Sequence, residues 1–556
     1  MNKAEEIIDS ILIKRGFLSE EERKEFLTDK PKKTYDPYLL PDIEEGTDFL
    51  YSALAEGRHI CIYGDYDVDG IMSTVLICSF LRNLNSLGLT ESEIDWYIPS
   101  RFDEGYGLNC GALDTIKETG AELVITVDCG SVSKTEIEYA ETIELDVIVT
   151  DHHQCSPHLL PDCPVINPMR EDSEYPFPYL SGCGVAFKTM QAFRQKFYPD
   201  NENIRNFLND TLDIVALATV ADVVPLIDEN RTLVKYGIKS INSRKRVALA
   251  KLNEMIQVDT SNVNTVDIGF RIGPHINAAG RLDDAGSVIE LFLSEDQSRM
   301  EEIIKQLISL NTERKRVQDK AEKECINLVE SEYADDNFLL LRPDEIHEGV
   351  SGIVAGRIKN RFNRPTAVIA LSEDKFLKGS ARSTQGIDII ALFRRHDSLF
   401  LKLGGHAMAA GFTLSENNEN LLRKELNEDI ASLLTEDPSL FDEDLSFDVE
   451  TLPEDLTMEL AEMMQLFEPT GTQNHAPRLL IKGPLITNTK SIGSEKAHLS
   501  FSAGGIRCII FNPDDESSSV IKEGQNVELY ATLGVNKWNG YQNVQLAVQK
   551  ARSCCV

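Results

Sequence analysis

In the segment GDYDVDG the carboxylates Asp65, Asp67 and Asp69 recur at every second residue, so an extended backbone would turn all three to one side. Three anions on one face repel one another unless cations neutralise them. Hard divalent ions take oxygen and imidazole ligands, and Asp128 after ELVITV, His152 in TDHH and Asp222 in ATVADVVPL supply them. Together they outline a two-metal site suited to phosphodiester chemistry. Singly, each has a structural role open to it: Asp69 as a helix N-cap, Asp128 as a turn residue, Asp222 as a helix end. Metal chemistry is favoured by their combination, four acidic punctuations at successive element ends, one carrying a His-His pair. Gly70 would permit a tight turn into a helix starting near Ile71.

These residues need a scaffold. From His59 to Pro225, short apolar runs alternate with helical periodicity, which predicts βαβ units and a parallel sheet. The predicted strands HICIY, ELVITV and LDVIVT each stop at an acidic or acid-histidine cluster. Open parallel sheets place their sites beyond such carboxyl ends. Residues 1–48 read as an arm: a short amphipathic helix, then the Pro-punctuated PKKTYDPYLLPD. The first α/β domain takes 49–285. Residues 286–335 are almost unbroken helix former, with Leu291, Ile303, Ile304 and Leu307 as the apolar face of a long connecting helix. A smaller α/β lobe over 336–435 has strands FLLLR and TAVIAL, a helix opened by GVSGIVAGRI, and a Gly-rich turn in LGGHAMAAGF. Over 436–556, alternating segments and the hairpin signal Asn539-Gly540 predict a small antiparallel barrel.

The formal charge of -35, from 56 basic and 91 acidic residues, alone argues against a nucleic-acid partner. Much of that acid lies in runs such as EEERKE and the Glu416–Asp455 stretch, which read as solvated helix faces and constrain a groove only weakly. Apolar runs such as Val75–Phe80 fall far short of the roughly 20 residues that span a bilayer. The start MNKAEEIIDS has acids where a signal peptide needs an apolar stretch, so a cytoplasmic location is expected. Eleven cysteines without a CxxC pair suit neither a disulfide scaffold nor a zinc ribbon, and Cys78 and Cys183 read as small buried hydrophobes.

GDYDVDG, VDCG, TDHH and the Asp222 segment resemble, in order and spacing, the four motifs of the DHH phosphoesterase superfamily. FRIGPHINAAGRL, HEGVSGIVAGRI, GSARS and GGHAMAAGF resemble elements of its RecJ family of single-strand exonucleases, so the likeness runs from about residue 50 to 415. The resemblance implies a parallel-sheet DHH catalytic domain at 49–285, a DHHA1 substrate-binding domain at 336–435 and an OB-fold nucleic-acid-binding barrel at 436–556. It implies that Asp67, Asp69, Asp128, His152 and Asp222 bind two Mn²⁺ or Mg²⁺ ions, with Asp128 bridging them. Asp65 would be a ligand or its partner, and His153 would contact the scissile phosphate or the leaving group. A phosphate clamp would comprise Gly404, Gly405, His406, Ser380, Arg382 and Arg281, with His347 and Arg357 lining the cleft and Arg101 and Tyr106 reaching the strand. The chain departs from the family pattern at His275, where arginine is common, and at Gly356, where serine is common. In the barrel, Trp538, Tyr541, Phe501 and Phe511 are candidate stacking platforms, with core packing equally open to Phe501 and Phe511, and Lys537 and Lys550 add modest positive charge.

The activity implied is metal-dependent 5′ to 3′ hydrolysis of single-stranded DNA to 5′-mononucleotides in recombination and repair, by a monomer served by a single-strand-binding protein and a RecQ-type helicase. The alternatives are a DHH/DHHA1 phosphodiesterase acting on nanoRNA or small nucleotides, whose relatives are shorter and lack the barrel, and an inactive scaffold, which would have lost carboxylates that are all present here.

Overall fold

The computed structural model describes residues 2–101, 104–105, 107–372, 375–442, 444–493, 497–538 and 541–554, without the side chains of Lys537 and Trp538. They form two compact units, one of residues 1–273, 288–297 and 445–556, the other of 274–287 and 298–444.

The first unit holds a five-stranded parallel sheet of β1 (Ile60–Gly64), β2 (Ile94–Tyr97), β3 (Leu123–Val127), β4 (Asp146–Thr150) and β5 (Val165–Ile166), in the order β2-β1-β3-β4-β5. β1 and β3 are buried along their whole length, which is why they read as continuous apolar runs rather than alternating ones. The chain leaves β1 towards one neighbour and returns on its other side, so the order reverses between β1 and β3. Ligands of open sheets bind outside the strand ends at such a reversal. The helix Val68–Ser86 is buried over most of its length and packs against the helices Gly182–Phe197 and Leu212–Ala221.

The same unit contains a barrel of β11 (Val449–Thr451), β12 (Arg478–Ile492), β13 (His498–Ala503), β14 (Ile506–Phe511), β15 (Asn526–Trp538) and β16 (Tyr541–Ser553), in the order β11-β12-β13-β14-β16-β15 and closed by β12 pairing with β15. The pairings β11–β12 and β14–β16 are parallel, so the barrel is not wholly antiparallel as expected. β15 and β16 pair out to Trp538 and Tyr541; the turn expected at Asn539-Gly540 lies outside the described residues. Ile7, Ile8, Ile11 and Leu12 of the first helix, Lys3–Lys14, share one core with Leu479, Phe501 and Leu529 of the barrel. The amphipathic helix read as part of an arm thus forms one layer of the barrel domain.

Arg231, in the helix Asp228–Asn242, ties the first α/β domain to the segment that leads into the barrel. Only 6% exposed, it donates to four carbonyls: Phe467 at 2.7 Å, Leu466 at 3.0 Å, Pro469 at 3.2 Å and Phe26 at 3.3 Å, with its guanidinium 4.2 Å from the Phe26 ring centroid. Nearby, Leu226 N donates to Thr472 O at 2.8 Å.

The second unit has a sheet of β6 (Leu339–Leu341), β7 (Thr366–Leu371), β8 (Leu377–Arg382), β9 (Phe400–His406) and β10 (Ala409–Leu414), in the order β6-β7-β8-β10-β9. The segment LGGHAMAAGF, expected as a Gly-rich turn, is a hairpin in which Gly404, Gly405 and His406 lie within β9. The continuous helix expected over 286–335 is interrupted: Gly286–Leu293 ends, and Gln297–Ser331 begins after Ser294 Oγ has accepted a hydrogen bond from Asp296 N at 3.1 Å.

Replacing Arg231 by Met would preserve volume but leave several buried carbonyls without a donor, at a cost of about 3 kcal/mol. Thermal unfolding of the full chain measures it, and a loss below about 1 kcal/mol would contradict the anchoring role.

Candidate metal centre

Strand ends deliver the cluster. β1 stops at Gly64 and passes to Asp65; Asp67 then caps the helix Val68–Ser86, its Oδ1 accepting from Asp69 N at 2.8 Å and Gly70 N at 3.2 Å. The helix therefore starts at Val68 rather than near Ile71, and the three acids do not share one extended strand as their spacing suggested. The N-cap is Asp67, which frees Asp69, in the first turn, for another task. Its carboxylate accepts from Gly182 N at 2.6 Å and Cys183 N at 2.9 Å, the opening residues of the helix Gly182–Phe197. Backbone donors at a helix start suit an anion.

Glycine is required where these elements meet. A Cβ at Gly70 would lie 2.5 Å from the backbone of Asp65, and one at Gly182 would lie 2.7 Å from Asp128 Cβ and Oδ1. Gly70 thus serves close approach rather than the turn expected of it. Asp128 follows β3 with φ +60°, a left-handed conformation that Asp tolerates better than most residues. Asp151, His152 and His153 follow β4, and Asp222 ends the helix Leu212–Ala221.

These ends converge. His152 Nε2 is 3.0 Å from Asp128 Oδ1, 3.6 Å from Asp222 Oδ2 and 3.8 Å from Asp69 Oδ2. One ligand atom from each of Asp69, His152 and Asp222 lies within 4.8 Å of the others, and the same holds for Asp65, Asp67 and Asp128 and for Asp128, His152 and His153. The sets overlap through Asp128 and His152. Asp65 Oδ1, His152 Nε2 and Asp222 Oδ2 are buried with no hydrogen-bond partner among the described residues. Oxygen and imidazole donors left unsatisfied around a shared carboxylate fit two hard divalent ions.

Electrostatics agrees. Burial first, then the charge of Asp67, pushes the Asp65 carboxyl up to about 8. Burial and the neighbouring carboxylates raise Asp69, and raise Asp128 and Asp222 well above the usual range. Burial opposes protonation of His152, but Asp222 and Asp69 outweigh it and raise the imidazole. Without cations, the cluster holds protons that ordinary carboxylates would have released.

Asp151 escaped notice in the sequence because it reads as the leading acid of TDHH rather than as a ligand. Its Oδ1 accepts from the backbone N–H groups of His152 at 2.7 Å and His153 at 3.1 Å and lies 2.8 Å from His153 Nδ1; its Oδ2 accepts from Ser131 N at 3.0 Å. Burial would raise its carboxyl, but the His153 hydrogen bond and charge prevail and hold it below the usual range. Asn167 completes the support, donating to His153 O at 2.9 Å and Ser131 Oγ at 2.8 Å. His153 thus has its Nδ1 edge held while its side chain stays 35% exposed, against 11% for His152.

Beside the cluster, Arg101 stacks on Tyr66 at 5.1 Å and its charge acts on Asp65, whereas Tyr106 lies outside the described residues. In the second unit, sheet register aligns Arg382, Ala409 and His406 in one row and Ser380, Gly411 and Gly404 in the next. Among the described residues nothing lies within 4 Å of the Cβ positions of Gly404 and Gly411, so the two rows form a shallow shelf flanked by a hydroxyl, a guanidinium and an imidazole. Gly405 faces the hairpin itself, where a Cβ would be 2.4 Å from Ala409 O. Arg281 donates to Gly349 O at 2.9 Å, and His347 caps the helix Glu348–Phe362. Arg357, half-exposed, pairs with Asp319 at 3.3 Å and Glu322 at 2.5 Å. In the barrel, Phe501 is core at 2% exposure, while Phe511 and Tyr541 are 64% and 75% exposed. Lys550 is buried against Asp514 and Glu516 and presents no charge outward. The side chains of Trp538 and Lys537 are not among those described.

Residues 59–219 match the DHH family, N-terminal domain, residues 335–432 the DHHA1 domain and residues 447–550 the RecJ OB domain. The chain is 33% identical to the single-stranded-DNA-specific exonuclease RecJ of Bacillus subtilis over 98% of its own length and 68% of that protein, and 35% identical to the Escherichia coli RecJ over 92% and 90%. Among solved structures, it resembles Thermus thermophilus RecJ in complex with Mn²⁺, with a TM-score of 0.80 and 26% identity, covering 99% of this chain and 76% of the other. Against the Mg²⁺ complex of the same protein the TM-score is 0.74 at 26% identity, covering 99% and 75%.

Carboxyls whose folded pKa exceeds the unfolded value hold protons that the unfolded chain releases, so stability falls as pH rises between the two. The metal-free protein is expected to lose stability from about pH 4 to about pH 8, the Asp65 window. Saturating Mn²⁺ should flatten that slope in pH-scanned thermal unfolding; a metal-free curve rising through this range would contradict the assignment. Asp151→Asn, which weakens the support of His153, is expected to lower activity about 10- to 100-fold. Steady-state kinetics beside strand-binding measurements would show it, and a wild-type rate would count against the support role.

Proposed function

Because the chain belongs to the RecJ family, we propose that it is a metal-dependent exonuclease specific for single-stranded DNA, degrading it 5′ to 3′ to 5′-mononucleotides in recombination and repair. The observation that carries this reading is the buried cluster itself, in which five carboxylates and two histidines form overlapping donor sets in the same chain as a barrel with exposed aromatic residues. The small-substrate relatives implied by the resemblance are shorter and lack such a barrel.

Asp67, Asp69, Asp128, His152 and Asp222 would hold two Mn²⁺ or Mg²⁺ ions, with Asp65 as a ligand or as the neighbour that tunes them. Bound divalent ions supply Lewis-acid polarisation of the scissile phosphate and an acidified water as nucleophile. The remaining work falls to the chain. Asp69, locked by two backbone donors, fixes one edge of the site, and the left-handed Asp128 places its carboxylate between the two donor sets. His153, oriented by Asp151 and half-exposed, contacts the scissile phosphate or the leaving oxygen. Arg101 offers a guanidinium at the rim.

Ser380, Arg382, Gly404 and His406 would seat a phosphate on the glycine-floored shelf, and Arg281 and His347 would steady the start of the helix Glu348–Phe362 beside Ser380. Phe511 and Tyr541 are the barrel aromatics placed to stack on bases. As a working context, a RecQ-type helicase would unwind the duplex and a single-strand-binding protein would present the strand to a monomeric enzyme. Among the described residues no helix is long and apolar enough to cross a membrane.

Purified wild type and an Asp128→Asn variant, incubated with 5′- and 3′-labelled single strands of DNA and RNA in Mn²⁺ or Mg²⁺, test the reading. Wild type should release mononucleotides from the 5′ end of DNA, and the variant should lose at least about 10²-fold. Intact substrate in every condition would contradict an enzyme, and preference for RNA of a few nucleotides would favour the small-substrate alternative.

A further inference from the structure

Directly after Asp222, Val223 adopts φ +63° and exposes 66% of its surface. It stands where a helix end usually places glycine or asparagine, and among the described non-glycine residues with such a φ it alone is β-branched. For a β-branched side chain this conformation is a true outlier, crowded against its own backbone.

A side chain so exposed has little core to pack against, so burial offers little to offset that strain. The conformation is imposed from both sides: Asp222 N is held by Ala218 O at 2.9 Å, and Leu226 N by Thr472 O at 2.8 Å. Glycine would fit the turn without strain. Strain held in place by its surroundings at a functional site points to a use for it. The other strained residue of the cluster, Asp128, already has one.

We propose that Val223 is a specificity-determining contact, an apolar wall at the rim of the metal centre against which the nucleoside bearing the scissile phosphate packs. The proposal rests on the cluster being the hydrolytic centre. Asp222 fixes the location, since its Oδ2 lies 3.6 Å from His152 Nε2 and the next side chain in sequence points to solvent. A nucleoside is the occupant because it is the part of the substrate with apolar faces adjoining the phosphate. Packing there adds binding shared by the bound strand and its transition state, without touching the ions.

The test compares full-length wild type, Val223→Gly and Val223→Met with Mn²⁺ on a single-stranded oligodeoxynucleotide, together with melting temperature and Mn²⁺ affinity by calorimetry. Val223→Gly should melt at or above the wild-type temperature and bind Mn²⁺ unchanged, while KM rises about tenfold at an unchanged kcat. Val223→Met, apolar but unbranched, should recover most of the lost affinity. A wild-type KM in Val223→Gly would overturn the proposal, and so would weakened Mn²⁺ binding, which would make the turn a support for Asp222 alone. A wild type inert on the strand would instead remove the reading on which the proposal rests.

Discussion

Five carboxylates gathered in one crevice, three of them almost out of reach of water, are the constraint on which the rest of this structure depends. Asp65, Asp69 and Asp128 are almost wholly buried, and their proximity raises the cost of ionising each. A fold can hold such a group only by fixing each member and supplying positive charge. Fixing is done locally: Asp67 by its own helix start, Asp69 by the start of a second helix, Asp128 by a left-handed backbone, while Gly70 lets the first helix approach Asp65 and Gly182 lets the second approach Asp128. The positive charge is left to cations, because the one buried histidine in the cluster cannot balance five acids.

From that constraint follows the architecture around it. The reversal of strand order between β1 and β3 opens the crevice, and three strand ends discharge their acids into it. The fourth element, the turn after Asp222, does not belong to the sheet, and it is stabilised from the barrel side through Leu226 and, one helical turn further on, Arg231. The barrel is consequently more than an appended strand-binding module, since it shares a core with the first helix and braces the segment that carries a metal-ligand candidate. Cutting the chain near residue 440 would disturb both.

Much of this was legible in the residues. The strands ending at Asp65, Asp128 and Asp151 announced themselves by apolar runs of the right length, and the acid-histidine punctuation located the cluster. Local hydrogen bonding was not legible: whether Asp67 or Asp69 caps the helix depends on which carboxylate meets backbone donors arriving from Gly182, more than a hundred residues away. Asp151 was hidden for the same reason, since its importance lies in what it holds rather than in what it could bind. In the second unit, GGHAMAAGF looked like a turn because glycine usually interrupts strands, but here glycines clear one face of a hairpin. Lys550 shows the converse, that a basic residue adds little to a nucleic-acid surface when it is buried against carboxylates of its own fold.

If cations complete the cluster, they must displace the protons that burial has kept there. Titrating the metal-free protein with Mn²⁺ near pH 7 in a weak buffer, while counting protons released against ions bound, measures this directly. The account predicts two ions per chain and release of at least about one proton. Binding without proton release, or no binding at millimolar Mn²⁺, would contradict it.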